Sequence, residues 1–80
     1  MHPEQIKQLI LAGMACTHLS LDGDGQHFEA VVVSDEFAGL NRVQRQQRVY
    51  QTLKAKLATG ELHAISFKTL TPEEWSAQRG

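Results

Sequence analysis

Three segments decide the fold of this chain: HFEAVVVS at residues 27–34, RVQRQQRVYQTLKAKL at 42–57 and LHAISFK at 62–68. The first and last are rich in β-branched and aromatic residues, which is typical of strands. The middle segment lacks Gly and Pro and is long enough for a helix of about four turns. A strand–helix–strand unit normally places its strands side by side and parallel, through a right-handed crossover. We therefore predict two parallel neighbouring strands that begin at one edge of the sheet, with His27 and His63 near their starts.

The N-terminal part of the chain predicts a helix followed by a hairpin. Pro3 suits a first helical turn, and apolar residues follow at helical spacing, so a helix is expected from residue 3 to about residue 14. Polar and apolar residues alternate over 18–22, and the Asp-Gly pairs of 22–25 favour a tight turn. The turn joins the strand at 18–22 to the strand that starts at His27 as an antiparallel hairpin.

Capping signals set the remaining boundaries. Asn41 is a suitable N-cap for the long helix, and Gly60 is a suitable left-handed C-cap. The run TPEEW at 71–75 is typical of a capping box, with Thr71 as the cap and Glu74 reaching back to its N–H. The predicted order is α-β-β-α-β-α, in the mixed α/β (α+β) class, with a three-stranded mixed sheet and the helices packed on one face.

Side-chain periodicity predicts which faces are buried. In the long helix, one apolar side is expected to be buried and a polar side to lie away from it. In the third strand, alternation predicts that Ile65, Phe67 and His63 share one face, with Leu62 on the other. The buried helical set is Val43, Tyr50, Leu53 and Leu57, and the polar set is Arg45, Arg48 and Gln51.

Length and composition exclude several classes of protein. The 80 residues suit a single domain, 1–80, with a modest core. The net charge of −1 gives no global attraction to nucleic acid or to anionic lipid, and a single cysteine cannot form an internal disulfide. Neither a signal peptide nor a membrane-spanning run is visible, so we expect a cytoplasmic protein. No nucleophile, base and acid fall into a catalytic pattern, and we expect no enzymatic activity.

His63 is the residue whose role the pattern leaves open. At the end of the core face, a half-sheltered imidazole offers a free nitrogen to a metal or to a hydrogen-bond donor. A histidine at a strand end is more often only a solvated or capped side chain. His27 and His63 alone are too few for a closed zinc site, which takes four ligands. Any metal site here would need groups from another molecule.

Four stretches of this chain together resemble the BolA family. They are VVSDEFAG at 32–39, RVQRQQRVY at 42–50, LHAISFKT at 62–69 and TPEEW at 71–75. The resemblance extends over nearly the whole chain and is strongest to the short bacterial branch named IbaG. It implies a class II KH-like fold, in agreement with the predicted order of elements.

The resemblance also implies a function and a site. Members of the family have no catalytic activity of their own, and they pair with monothiol glutaredoxins, with which they share a bridging [2Fe-2S] cluster and glutathione. The family's invariant histidine corresponds to His63, which is implied to be an iron ligand. Many members carry a second ligand in the loop between the first two strands, where this chain has neither Cys nor His; His27, directly after the loop, is the candidate. Asp24 is a weaker candidate because its oxygen is a hard ligand, and Cys16 is expected to be a small buried residue.

Two other functions remain open from the sequence. A KH-like DNA-binding regulator would use the basic helix at 42–57, and the candidate contacts to nucleic acid or to a partner protein are Arg42, Arg45, Arg48 and Lys68. Against this function, the chain has no GxxG loop of the kind that KH domains use to clamp RNA. A protein-interaction adaptor without any metal is the third possibility.

Overall fold

The computed structural model describes residues 1–24 and 26–79. The predicted order of elements is confirmed, with one short 3-10 turn added between the second strand and the long helix. The predicted turn at 22–25 is partly visible, since its Gly25 lies outside the described residues. The elements are α1 (Pro3–Gly13), β1 (His18–Gly23), β2 (His27–Val33), the 3-10 turn (Asp35–Phe37), α2 (Arg42–Thr59), β3 (Ala64–Leu70) and α3 (Pro72–Arg79).

The predicted caps are confirmed by their hydrogen bonds. Asn41 and Gln44 form a reciprocal capping box at the start of α2, with distances of 2.9 and 3.0 Å. Gly60 ends α2 in the left-handed conformation, with φ of 80°. At the start of α3, the backbone N–H of Thr71 donates to Glu74 at 2.8 Å, and the Thr71 hydroxyl accepts from the Glu74 N–H at 3.2 Å. The Gly60 cap ends α2 before β3, and the Thr71–Glu74 cap starts α3 directly after β3.

The sheet has the strand order β1-β2-β3. β1 and β2 pair antiparallel, and β2 and β3 pair parallel, as the strand–helix–strand unit predicted. In the parallel register His27 lies opposite Ala64, and His63 directly precedes Ala64 in the chain. Both histidines therefore lie at the same edge of the sheet, where the neighbouring strands β2 and β3 begin.

The hydrophobic core lies between one face of the sheet and the helices α1 and α2. Full burial of an aliphatic or aromatic side chain contributes about 1.5–3 kcal/mol, so a set of this size holds a small domain together. No helix in the described part of the chain has the length and apolar character needed to cross a bilayer. The core is formed mainly by Ile6, Ile10, Phe28, Val32, Phe37, Val49, Leu53, Leu62 and Ile65.

The buried face of α2 differs from the predicted one. Leu53 is buried as expected, but Val43 and Tyr50 are 64% and 40% exposed, and Val49 takes the inner position instead. Arg45 and Arg48, expected to point away from the body, are half-buried and bonded to it. Compared with the prediction, α2 is thus rotated about its axis, and Arg45 and Arg48 face the rest of the domain, where they find hydrogen-bond partners.

The start of β3 also differs from the prediction. Leu62 was expected on the face opposite to Ile65, yet it is only 1% exposed and belongs to the same core. The strand begins at Ala64, so residues 62 and 63 lie outside the strict alternation. Ile65 and Phe67 face the core as predicted.

The Trp75 ring of α3 reaches the face of the sheet opposite to the core. Val32 belongs to the core, so its neighbour Val33 points to the opposite face of β2, yet Val33 is fully buried. His18 lies opposite Val33 in the register, and the Trp75 ring of α3 stacks on His18 with centroids 4.7 Å apart. We infer that Trp75 covers this end of the second face, because the apolar side chains there need a cover.

The 3-10 turn between β2 and α2 was not predicted and is built around Ser34. This serine is fully buried; its hydroxyl donates to the carbonyl of Ala15 at 2.5 Å and accepts from the N–H of Glu36 at 3.1 Å. The turn buries Phe37 in the core. Ser34 thereby ties the segment between α1 and β1 to the loop that starts α2.

Candidate functional site

His63 stands in the short connection between the Gly60 cap and β3. The buried Leu62 anchors the chain on one side of it, and the β3 ladder fixes the chain on the other. The sequence pattern predicted a half-sheltered imidazole at the end of the core face, but the side chain is exposed, because β3 begins only at Ala64. Within the described residues, no hydrogen bond or ion pair engages its ring. The imidazole is therefore accessible from solvent, while the backbone that carries it is held in place.

His27 stands beside it as the first residue of β2. Its ring Nε2 lies 3.4 Å from the hydroxyl of Ser66, and both side chains are exposed on the sheet face opposite to the core. Its backbone N–H donates to Asp24 at 2.8 Å. The sheet register thus brings both predicted histidines to one edge, and the second imidazole keeps only a weak contact that a ligand could replace.

Asp24 is occupied by the turn that precedes β2. One carboxylate oxygen accepts the backbone N–H groups of Gln26 and His27, at 2.9 and 2.8 Å. These bonds, that of His27 foremost, hold the pKa of Asp24 below its usual value. The carboxylate shapes the turn, which agrees with its rank as the weaker ligand candidate.

Cys16 lies in the segment between α1 and β1, half-buried against the core. Burial, followed by the nearby negative charge of Glu36, raises the pKa of its thiol. The thiolate that would bind iron is therefore disfavoured at neutral pH. The position suits the predicted role as a small buried residue.

The donor groups of this chain can supply only part of a cluster site. Among the described residues, no group of three or more His, Cys, Asp or Glu side chains is placed to hold a metal ion. A [2Fe-2S] cluster takes four protein ligands, with imidazole able to replace thiolate on one iron. The exposed side chains of His63 and His27 are the imidazoles that this chain offers, and the thiolates would have to come from other molecules.

The four predicted basic contact residues separate into two pairs. Arg45 is only 16% exposed on its side chain and forms a fork with the Glu74 carboxylate, at 2.7 and 3.4 Å. Arg48 pairs with Glu36 at 2.9 Å and donates to the carbonyl of Gly13. The sequence reasoning missed both acidic partners, although the capping box had already placed Glu74 at the start of α3.

Arg42 and Lys68 form the other pair. Both are exposed, and no hydrogen bond or ion pair holds either side chain within the part of the chain that the structure describes. Together with Arg45 they line a cleft of about 470 Å³ between the start of α2, the end of β3 and α3. Its apolar lining includes Leu40 and Phe67. This cleft, called the basic cleft below, lies at the opposite end of β3 from His63.

Comparisons with known proteins agree on one family. The model of the family described as "BolA-like protein" matches residues 11–74. The acid stress protein IbaG of Escherichia coli is 34% identical over 79 residues, which cover 99% of this chain and 94% of that protein. The DNA-binding transcriptional regulator BolA of Haemophilus influenzae is 44% identical over 61 residues, which cover 76% of this chain and 58% of the regulator.

A solved structure shows the same fold. The structure of a BolA protein homologue from Coxiella burnetii superposes with a TM-score of 0.84 at 38% identity, and the match covers 95% of this chain and 97% of that one. Three helices and a three-stranded mixed sheet are thus shared by the two molecules. The match of sequence, of family motifs and of architecture extends over nearly all of the 80 residues, and the chain belongs to the BolA-like family.

Proposed function

We propose that this protein is the non-catalytic partner of a monothiol glutaredoxin and that His63 provides one ligand of a [2Fe-2S] cluster that bridges the two proteins. The observation that carries the proposal is the His63 imidazole itself, which is exposed and bonded to none of the described residues, on a backbone fixed by Leu62 and β3. Cluster trafficking, or the regulation of iron and stress responses, is the corresponding role, and the name of the related acid stress protein supports the stress setting.

The chain's own contribution is to hold imidazole nitrogens at a sheet edge. His27 is the candidate for the second ligand, because the register places it one residue from His63. Replacing thiolate by neutral imidazole makes a cluster less negative and raises its reduction potential. Imidazole is also lost as a ligand when it is protonated, so acid should release the cluster earlier than from a site with thiolates alone.

The test is anaerobic reconstitution with a monothiol glutaredoxin, iron, sulfide and glutathione, followed by visible absorption and circular dichroism. We expect His63→Ala to change the spectrum and to speed cluster loss, while His2→Ala, a substitution of an exposed histidine outside the site, leaves both unchanged. His27→Ala tests the second ligand in the same assay. If His63→Ala matched the unchanged protein in spectrum and in decay, the ligand assignment would be wrong.

A second candidate function is DNA binding, and the basic cleft favours it. Arg42 and Lys68 are exposed cations with no partner among the described residues, and a relative carries the name of a DNA-binding transcriptional regulator. Contacts to phosphates release counterions, so binding that uses this cleft must weaken steeply as salt is added. A gel-shift titration across salt concentrations, with Arg42→Gln and Lys68→Gln as variants, tests it; binding that ignores both salt and these substitutions would exclude the cleft.

A further inference from the structure

The outer edge of β3 presents hydrogen-bond donors to the basic cleft. The carbonyls of Phe67 and Thr69 accept from the side chains of Gln46 and Arg45, at 3.0 and 3.4 Å. In a strand, the N–H and C=O of one residue point to the same edge, so the N–H groups of Phe67 and Thr69 also face the cleft. Within the described residues these two N–H groups have no acceptor. At Phe67 and Thr69, the free backbone groups of this edge are therefore donors, and both carbonyls are occupied.

The charges that line the basic cleft are mainly positive, so they favour an anionic ligand as the free N–H donors do. Its cations are Arg42, Arg45 and Lys68, and Glu74 is the only acidic residue among the described ones that line it. The Glu74 carboxylate meets the Arg45 guanidinium with both oxygens. This is the two-point geometry with which arginine also binds phosphate. Glu74 thus occupies the position on Arg45 that an external oxyanion would take.

We propose that Glu74 is an internal competitor that limits the binding of a phosphate group of nucleic acid to Arg45 in the basic cleft. The inference rests on the second candidate function, DNA binding, and adds a regulator to its site. Glu74 is able to leave, because its side chain is 45% exposed and stands on the first turn of the eight-residue α3. The Thr71 N–H also donates to Oε1 of Glu74. When the Glu74 side chain turns away from Arg45, it therefore loses this capping hydrogen bond as well as the ion pair.

The same contacts favour nucleic acid over an acidic peptide as the occupant. A peptide that added itself to β3 would need free carbonyls as well as free N–H groups along the edge. Gln46 and Arg45 already occupy the carbonyls of Phe67 and Thr69. A phosphate chain offers acceptors alone and therefore matches the part of the edge at Phe67 and Thr69, where only donors are free.

The experiment compares Glu74→Gln with Glu73→Gln in the full chain. Both changes remove one negative charge from the first turn of α3, but only Glu74 contacts Arg45, and glutamine keeps an oxygen for the Thr71 cap. Fluorescence anisotropy with a labelled single-stranded DNA oligonucleotide at low salt measures the affinity. We expect Glu74→Gln to bind about fivefold more tightly, the effect of one unit charge about 4 Å away in water. We expect the slope of log affinity against log salt to become steeper by about 0.7, the value for one added contact to a single strand.

Two further measurements make the result decisive. Adding Arg45→Gln to Glu74→Gln should abolish the gain, provided that circular dichroism melting shows the double variant to be folded. Equal gains for Glu74→Gln and Glu73→Gln would mean a general charge effect and would overturn the competitor role, while DNA binding itself stood. If neither the unchanged chain nor any variant bound the oligonucleotide, the second candidate function would fail and the inference with it. A gain seen with an acidic peptide and not with DNA would also overturn it.

Discussion

Replacing Leu62 by alanine tests how the candidate ligand is held. Leu62 is 1% exposed and packs in the core directly before His63, so it fixes the backbone of the exposed imidazole. Leu→Ala substitutions at buried sites cost about 2–5 kcal/mol, from lost burial and from the cavity that remains. A domain of this size has a total stability near the lower end of about 5–15 kcal/mol. We therefore expect Leu62→Ala to remove a large part of the free energy of unfolding and to lower the melting temperature by at least about 10 °C.

Urea denaturation followed by far-UV circular dichroism gives the free energy of unfolding. Leu11→Ala is the matched control, because Leu11 is 46% exposed on α1 and the chemical change is the same. Exposed substitutions of this kind stay within about 0.5 kcal/mol. A loss below about 1 kcal/mol for Leu62→Ala, or an equal loss for Leu11→Ala, would refute the view that Leu62 anchors the histidine, since an anchor must be worth more than a surface contact.

Three further outcomes are expected from the contacts described. Ser34→Ala removes both hydrogen bonds of a buried hydroxyl and should cost about 1–3 kcal/mol in thermal melting, whereas the exposed Ser20→Ala should not change the melting curve. Gly60→Ala meets no atom within 4 Å but forces a φ of 80° on a side chain, so urea unfolding should show a loss of about 1–2 kcal/mol from strain alone. The backbone N–H of Ala15, and then Arg48, lower the pKa of Glu36 from its ordinary value of 4.5. Its charged form therefore stabilises the fold above pH 4.5, and this contribution is lost as the pH falls through the lower folded pKa. Glu36→Gln should therefore make the free energy of unfolding less dependent on pH in the range below 4.5.

The parts of the fold that local chemistry decides could be predicted from the sequence. The caps at Asn41, Gly60 and Thr71 depend on neighbouring residues and on φ preferences, and the structure confirms each of them. The parallel pairing of β2 and β3 follows from the chirality of crossover connections, and it correctly placed His27 and His63 at one edge. The accessible position of the candidate site was thus within reach of sequence reasoning.

The parts that depend on distant partners could not be predicted. Hydropathy placed Arg45 and Arg48 away from the body, but Glu74 and Glu36 draw them inward from 29 and 12 residues away along the chain. Periodicity carries no information on such partners, so Val43 was expected inside and is exposed instead. The faces of short elements are set by the contacts they find in the folded molecule.

The side chains of Gln46 and Arg45 on the carbonyls of β3 also bear on how this protein behaves when it is concentrated. An uncovered border strand is a template on which neighbouring molecules can assemble into fibres. Here a helix of the same chain supplies amide and guanidinium groups where a foreign backbone would otherwise dock. Because two carbonyls of this border are already taken, a second copy that paired its sheet along β3 would begin with two bonds missing, and the contacts that shape the cleft also discourage such pairing.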